Sequence, residues 1–296
     1  RSPEIPQLPR FTSPDHCFLK SRQVQVRTTL ELLPASIPSR PACGFVLFCY
    51  RKMRWQQGND RADDVEGSSR GRKSRRKEEV ERKKAREEVI RTAQAQLDPL
   101  SSFPLFRRYL THDGMAMEVE SGRGDRLSSP IKQFIRTLLK INMEVIFGSE
   151  WPAEEKVKRR DMVSPEARYL FLRYSSPTPS CADPLFAGFI HYRFTLEEDL
   201  PVLYVYELQI HSSFQGKGLG CYLMQLVELI ARENRMIAVL LTVQKANLPA
   251  LSFYTDKLKY TVSSISPSRV DPSIGVEKSY EILCKSFDEE AKAIFD

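Results

Sequence analysis

The chain has 296 residues, is 41% hydrophobic and carries a formal net charge of +7 at pH 7. That length holds one large domain or two small ones, with enough apolar content for a core. The six cysteines (Cys17, Cys43, Cys49, Cys181, Cys221, Cys284) form no CxxC pair, and the four histidines form no HExxH motif. No metal site is predicted, and a reduced intracellular protein is expected.

Residues 1–69 are rich in Pro, Ser and Arg and sustain no apolar pattern. They read as a disordered extension, as a targeting peptide, or as sequence outside the functional protein. The longest apolar run there, residues 42–50, is too short to span a bilayer, so no membrane association is expected. Residues 1–69 carry ten basic against seven acidic side chains, and residues 70–91 eleven against five, which leaves −2 of the total +7 for residues 92–296. The basic character therefore belongs to a segment and not to the fold.

Residues 70–99 form a basic arm and helix. From Arg75 to Ala95 the residues are good helix formers, and Val80, Ala85, Val89 and Ala93 make a thin apolar stripe. The arm reads either as a solvated helix or as a patch, centred on residues 72–77, that enters the nucleus or touches nucleic acid. Residues 100–287 are the expected catalytic domain and 288–296 a tail.

Pro130 to Phe147 has helical spacing through Ile131, Phe134, Ile135, Leu138, Leu139 and Ile141, and a short helix is predicted over Pro152 to Met162. Strands are predicted over Tyr169–Tyr174, Phe186–Phe194 and Val202–Ile210, with turns at residues 175–184 and 197–199. A helix over Gly220–Glu233, a buried strand over Met236–Val243 and a short helix over Pro249–Leu258 follow. Late strands are expected at Tyr260–Ser264 and Ser279–Lys285. The predicted architecture is α/β, a mixed central sheet flanked by helices.

The segment carrying chemistry is Tyr204-Val-Tyr-Glu-Leu-Gln-Ile-His-Ser-Ser-Phe-Gln-Gly-Lys-Gly-Leu-Gly220. A strand runs into a turn with Gly216, Gly218 and Gly220, and the turn opens a helix. Glycines there let successive N–H groups converge on an anion at the positive end of the helix, and Lys217 adds a charge. This is a pyrophosphate-binding device, and it lacks the Gly-Lys-Ser/Thr ending of a P-loop. Glu207 lies on the strand just before it, and either accepts a proton through water or faces solvent as a structural acid. A bulge at this point would splay the strands and free an N–H to polarise a carbonyl. In a regular strand Tyr204 and Tyr206 would share one face and Glu207 the other.

Gln215-Gly-Lys-Gly-Leu-Gly220 resembles the coenzyme A signature of the GCN5-related N-acetyltransferases (GNAT). A buried strand at Ala238–Val243, then Asn247, Ala250-Leu-Ser-Phe-Tyr254, Leu258 and Tyr260, follow in that family's order. Within it the chain is similar to the NatD group of N-alpha-acetyltransferases. That likeness is carried by Gly71-Arg-Lys-Ser, Asp98-Pro-Leu, Phe103-Pro-Leu-Phe, Asn142-Met, Ser149-Glu-Trp151, Tyr204-Val-Tyr-Glu207 and Ser279-Tyr-Glu-Ile-Leu283.

The resemblance implies a GNAT fold and transfer of acetyl from acetyl-CoA to the N-terminal amine of histone four and histone two-A tails, which begin Ser-Gly-Arg-Gly. It implies Glu207, Tyr206 and Tyr254 as catalytic residues, with Tyr254 protonating the coenzyme A thiolate or serving as a core aromatic. It implies cofactor contacts from Leu208, Ile210, Gln215, Gly216, Lys217, Gly218, Leu219, Gly220, Asn247 and Tyr254. Phe147, Trp151, Glu197, Tyr204, Tyr206 and Tyr280 would line the peptide site. Phe147 and Thr195 depart from the group's tyrosine and acid at their positions. Nucleosomal or ribosomal contact through arm 70–91, and a nuclear and cytoplasmic location, complete the expectation. Acetylation of lysines or small amines by the same fold, and a non-catalytic domain binding histone tails or coenzyme A, are the alternatives.

Overall fold

Five consecutive strands pair antiparallel, each with the next: β1 (Arg108–Leu110), β2 (Ala116–Arg123), β3 (Arg168–Tyr174), β4 (Phe186–Glu197) and β5 (Leu200–Ile210). β6 (Ala238–Gln244) then lies parallel to β5, and β7 (Thr261–Val262) and β8 (Tyr280–Ser286) close the order β1-β2-β3-β4-β5-β6-β8-β7. The computed structural model describes residues 69–174 and 186–296, with side chains from Arg75 onward. All of these fall in one compact unit, Pro41–Asp296. The expected extension 1–69 (save Ser69), the whole 175–184 turn, and Cys17, Cys43, Cys49 and Cys181 lie outside the described residues.

The helices are α1 (Ser69–Ala95), α2 (Ser129–Phe147), α3 (Trp151–Asp161), α4 (Leu219–Glu233), α5 (Leu248–Ser252), α6 (Pro267–Val270), α7 (Pro272–Glu277) and α8 (Glu289–Phe295). A parallel β5–β6 pair needs a crossover, and α4 supplies it. Leu223, Met224, Leu226, Val227 and Ile230 of α4 are fully buried on one sheet face, against Leu203, Val205, Val239 and Leu241. The opposite face has two clusters. One joins Ile135, Leu138 and Leu139 of α2 and Trp151 of α3 to Tyr169, Phe171 and Phe189. The other joins Ala291 and Phe295 of α8 to Val202, Tyr204 and Leu240.

Four expectations change. The α1 stripe does not pack along its length: every described residue from Arg75 to Ala85 is exposed, including Val80 and Ala85. Docking begins near Val89 and Ile90 and reaches the core at Ala93. Ile141 of α2 points outward at 60% exposure, because it sits off the Ile135–Leu138–Leu139 face. Residues 289–295 form a helix with Phe295 fully buried. The predicted 249–258 helix loosens after Ser252 into a π-helical turn, Phe253–Lys257.

Candidate active site

A bulge on β5 shapes the site. Tyr192 of β4 pairs with Val205, and His191 pairs with Glu207, so Tyr206 is the extra residue. A bulge bends its strand and re-aims the side chains beyond it. Before it, Leu203 and Val205 face the α4 side; after it, Leu208 and Ile210 do. Glu207 is thereby turned onto the face of Tyr204 and Tyr206, whose rings are 5.5 Å apart. The regular-strand expectation, with Glu207 on the opposite face, is corrected by this one residue.

The same bend parts two strands. The β5–β6 pairing runs from Val202↔Ala238 to Val205↔Leu241 and ends there, while β6 continues to Gln244 in register with β8. Beyond Val205 the two parallel strands diverge, leaving a cleft with the second half of β5 along one wall. Tyr204, just inside the junction, is hydrogen-bonded through its hydroxyl to Thr242 of β6.

At the end of β5 the chain turns through Gly216 (φ 76°) and Gly218 (φ 84°) into α4. Both glycines are left-handed, a conformation that L side chains enter at a cost. Gly218 is the N-cap of α4, and the Gly220 position lies 3.2 Å from Phe253 for any added Cβ. N–H groups at such a helix start have no intrahelical acceptor, and the helix dipole makes them an anion seat. Lys217 pairs with Asp113 in the β1–β2 turn, and that ammonium, with the Thr111 hydroxyl, holds the Asp113 carboxyl down at about 2. Tyr109 of β1 donates from its hydroxyl to the Lys217 carbonyl at 3.4 Å.

Residues 135–260 match the model of the Acetyltransferase (GNAT) family. The chain carries a GNAT acetyltransferase domain. Its mixed sheet, bulged strand, glycine turn and flanking helices are the GNAT fold. Three solved structures are similar to it. The PaiA N-acetyltransferase of Thermoplasma acidophilum, in complex with coenzyme A, is 16% identical, with 57% of this chain and 99% of that one covered and a TM-score of 0.41. An acetyltransferase from Streptococcus agalactiae is 12% identical, with coverages of 57% and 98% and a TM-score of 0.42. Naa50 of Arabidopsis thaliana, in complex with a bisubstrate analogue, is 18% identical, with coverages of 57% and 99% and a TM-score of 0.37.

Within the GNAT domain, Glu207 is nearly buried and held from two sides. Lys158 of α3 donates to Oε1, and Gln209 Nε2 donates to Oε2 at 3.0 Å. Gln209 is itself fixed by Asn142 of α2, whose Nδ2 donates to Gln209 Oε1 at 2.9 Å and to the Ile210 carbonyl at 3.2 Å. Gln215 folds back to the same carbonyl at 3.0 Å, so its side chain braces the turn. Asn247 caps α5, its side-chain oxygen accepting the Ala250 N–H at 3.3 Å.

Tyr254 is buried against Tyr260 and Phe253, and burial, then the charge of Glu207, pushes its phenol well above the ordinary value. It stays protonated at neutral pH. Tyr206 is pushed the same way by burial, and Arg193 stacks over its ring at 4.3 Å. Phe147, Trp151 and Tyr280 are all buried; the Phe147 and Trp151 rings are tilted 38° to each other with centroids 6.0 Å apart, and the Lys158 ammonium lies 5.2 Å over Phe147. Glu197 ends β4, and its charge reaches the Tyr206 phenol.

Sequence reasoning gave no role to Lys158, Gln209, Tyr109, Asp113, His191 and Arg193. His191 is sandwiched between Tyr169 (4.8 Å) and Tyr206 (5.0 Å). Burial, then Arg193 and Lys158, drives its imidazole well below the usual value, so it is neutral. The spacing of Glu154 and Lys158, four apart on one helix, was the available signal for that face of α3.

Proposed function

We propose that this chain is an N-alpha-acetyltransferase that moves acetyl from acetyl-CoA to the N-terminal amine of histone four and histone two-A tails. The observation that carries it is the β5 bulge, which opens the sheet beside the glycine turn and brings Glu207 onto the face of Tyr204 and Tyr206.

The diphosphate of the cosubstrate would sit on the N–H groups of residues 216–220, with its pantetheine arm along Leu208 and Ile210 and Asn247 and Tyr254 on the far wall. An N–H from the parted β5 edge would polarise the thioester carbonyl. The ammonium gives one proton through water to Glu207, the freed lone pair attacks the carbonyl carbon, the C–S bond breaks as Tyr254 protonates the leaving thiolate, and the nitrogen's second proton leaves through water to restore the phenol. A protonated, buried Tyr254 suits the donor role.

The peptide preference draws on the NatD-like motifs and on charge. Arg193 lies over the Tyr206 ring and pairs with Asp161 and Glu166, while Glu197 adds a third carboxylate bearing on the phenol; the acids outnumber the cation, which suits a tail whose third residue is Arg. Histone tails are thus the proposed partners, and nucleus and cytoplasm the proposed compartments. The test is acetyl transfer to a Ser-Gly-Arg-Gly-Lys peptide beside the same peptide blocked at its α-amine, read by mass spectrometry. Acetylation of the free peptide at its N-terminus alone is expected. Acetylation of the blocked peptide at lysine would move the assignment to a lysine-directed GNAT enzyme, and no transfer to any amine would remove it.

A further inference from the structure

Three charged side chains meet behind the cleft, and the chemistry above uses one of them. Lys158 reaches from α3 to Glu207 of β5, with the two side chains only 16% and 10% exposed. One turn earlier on α3, Glu154 is 2% exposed, and its Oε2 has no hydrogen-bond partner. The charges of Lys158 and Glu207 both reach Glu154, as do those of Glu150 and Asp161. From β4, neutral His191 and the cation Arg193 face the same space. An ion pair this enclosed is screened far less than a surface one.

We propose that Lys158 is a positioning residue of the acetyl-transfer site: its ammonium neutralises Glu207 and lowers the proton affinity of the amine docked there, while Glu154 opposes it from behind. The proposal rests on the acetyltransferase reading. A lone carboxylate at the amine site would hold the substrate as an ammonium ion, which has no lone pair and cannot attack the thioester. A cation already bound to that carboxylate reverses the balance, because a like charge within a few ångströms disfavours the charged form of the amine. The amine then gives its proton through the bridging water to Glu207, which passes it on to solvent, and meets the carbonyl as the free base. Glu154 acts in the other sense, since each increment of its ionisation adds negative charge to the cluster. Burial, the largest cause, lifts its carboxyl to about 7, so its charge state divides the working pH range.

The experiment measures kcat and KM from pH 6 to 9.5 for wild type, K158M, K158R and E154Q, with the amine that wild type acetylates fastest. Coenzyme A affinity serves as the folding control. K158M should lose about three- to tenfold in kcat at pH 7, because the acid limb of kcat should move up by about half a unit to a unit. KM should fall at the same time, because Glu207 without Lys158 grips the ammonium form. K158R should restore the limb, and E154Q should move it down. A packing defect gives neither opposite shifts nor a lower KM. K158Q replaces the methionine variant if that one fails to bind coenzyme A. A folded variant without the cation whose kcat profile overlays wild type overturns the proposal, as does a limb shift in the same direction for both charge removals. Wild type that releases no thiol with any amine overturns instead the acetyltransferase reading beneath it.

Discussion

The hydroxyl of Tyr109 stands 2.6 Å from the point where a Cβ on Gly218 would lie. Tyr109 belongs to β1, more than a hundred residues earlier, and packs on Tyr222 of α4 at 4.4 Å. The β1–β2 hairpin thus buttresses the glycine turn, with Tyr109 on its backbone and Asp113 on Lys217.

Gly218→Ala should therefore weaken coenzyme A binding by at least about tenfold. The left-handed φ of 84° costs an L residue roughly 1–2 kcal/mol, and Tyr109 must also shift. Gly216→Ala is the control, because its φ of 76° carries the same strain with nothing within 4 Å. Titration calorimetry should show the larger loss for G218A. Equal losses would mean that backbone strain alone matters and that the Tyr109 buttress does not.

Removing residues up to Lys84 should leave the thermal midpoint nearly unchanged, whereas removal up to Leu97 should lower it by about 5–10 °C. The first stretch is exposed on every side from Arg75. The second holds buried Ala93, half-buried Val89 and Ile90, and Gln94, which donates to the Phe194 carbonyl at 3.1 Å and accepts from Arg168. Roughly 2–3 kcal/mol of lost apolar burial, at about 25 cal/mol per Å², would account for most of the shift. The exposed Arg86–Glu290 pair at 2.7 Å adds little. Calorimetric melts of the two truncations decide the point.

The sequence made the central elements legible because their apolar periods are strong. Leu223, Leu226, Val227 and Ile230 mark α4 at helical spacing, and the run 238–243 is apolar on both faces, as a central strand must be. The β1–β2 hairpin escaped notice although Met117 and Val119 alternate with Glu118 and Glu120, a period of two hidden by its charged members. The late helix α8 rests on two side chains, Ala291 and Phe295, too few to show a period. At the site, the glycine turn and Glu207 were readable as motif. The face of Glu207 was not, since it depends on a one-residue bulge that no local pattern encodes. The i,i+4 spacing with Glu154 marks Lys158 only as part of a charged helix face, and its role stayed hidden because its partner lies 49 residues away, on another element.

Melting curves should show Glu154→Gln more stable than wild type at pH 8 and about equal to it at pH 5. Burial raises the Glu154 carboxyl from 4.5 in the unfolded chain to about 7 in the folded one. Folding therefore favours its protonated form. That contribution is whole below pH 4.5 and is lost as the pH rises through 7. Glutamine keeps the neutral character at every pH and removes the dependence. Parallel curves for the two proteins from pH 5 to 8 would show that Glu154 titrates as an ordinary carboxyl.

Glu207→Gln keeps the side-chain volume and removes the proton acceptor. General base help is typically worth about 10² to 10⁴ in rate, so kcat should fall at least roughly 30-fold. Coenzyme A affinity should change little, because the glycine turn lies beyond the end of β5 and Gln215, not Glu207, braces it. An N-terminal amine has an ordinary pKa near 7.7–8.0. Raising the pH to 9.5 should thus recover part of the activity as more amine arrives neutral. The substitution also disturbs the hydrogen bond from Gln209 and the pair with Lys158. Gln209→Ala, which loosens Glu207 without removing its charge, separates these effects: it should cost less than E207Q and show no recovery at high pH. Steady-state rates with a Ser-Gly-Arg-Gly peptide from pH 6.5 to 9.5 make the comparison. Wild-type kcat for E207Q across that range would reduce Glu207 to a brace for the bulged strand and move the search for the base to Tyr206.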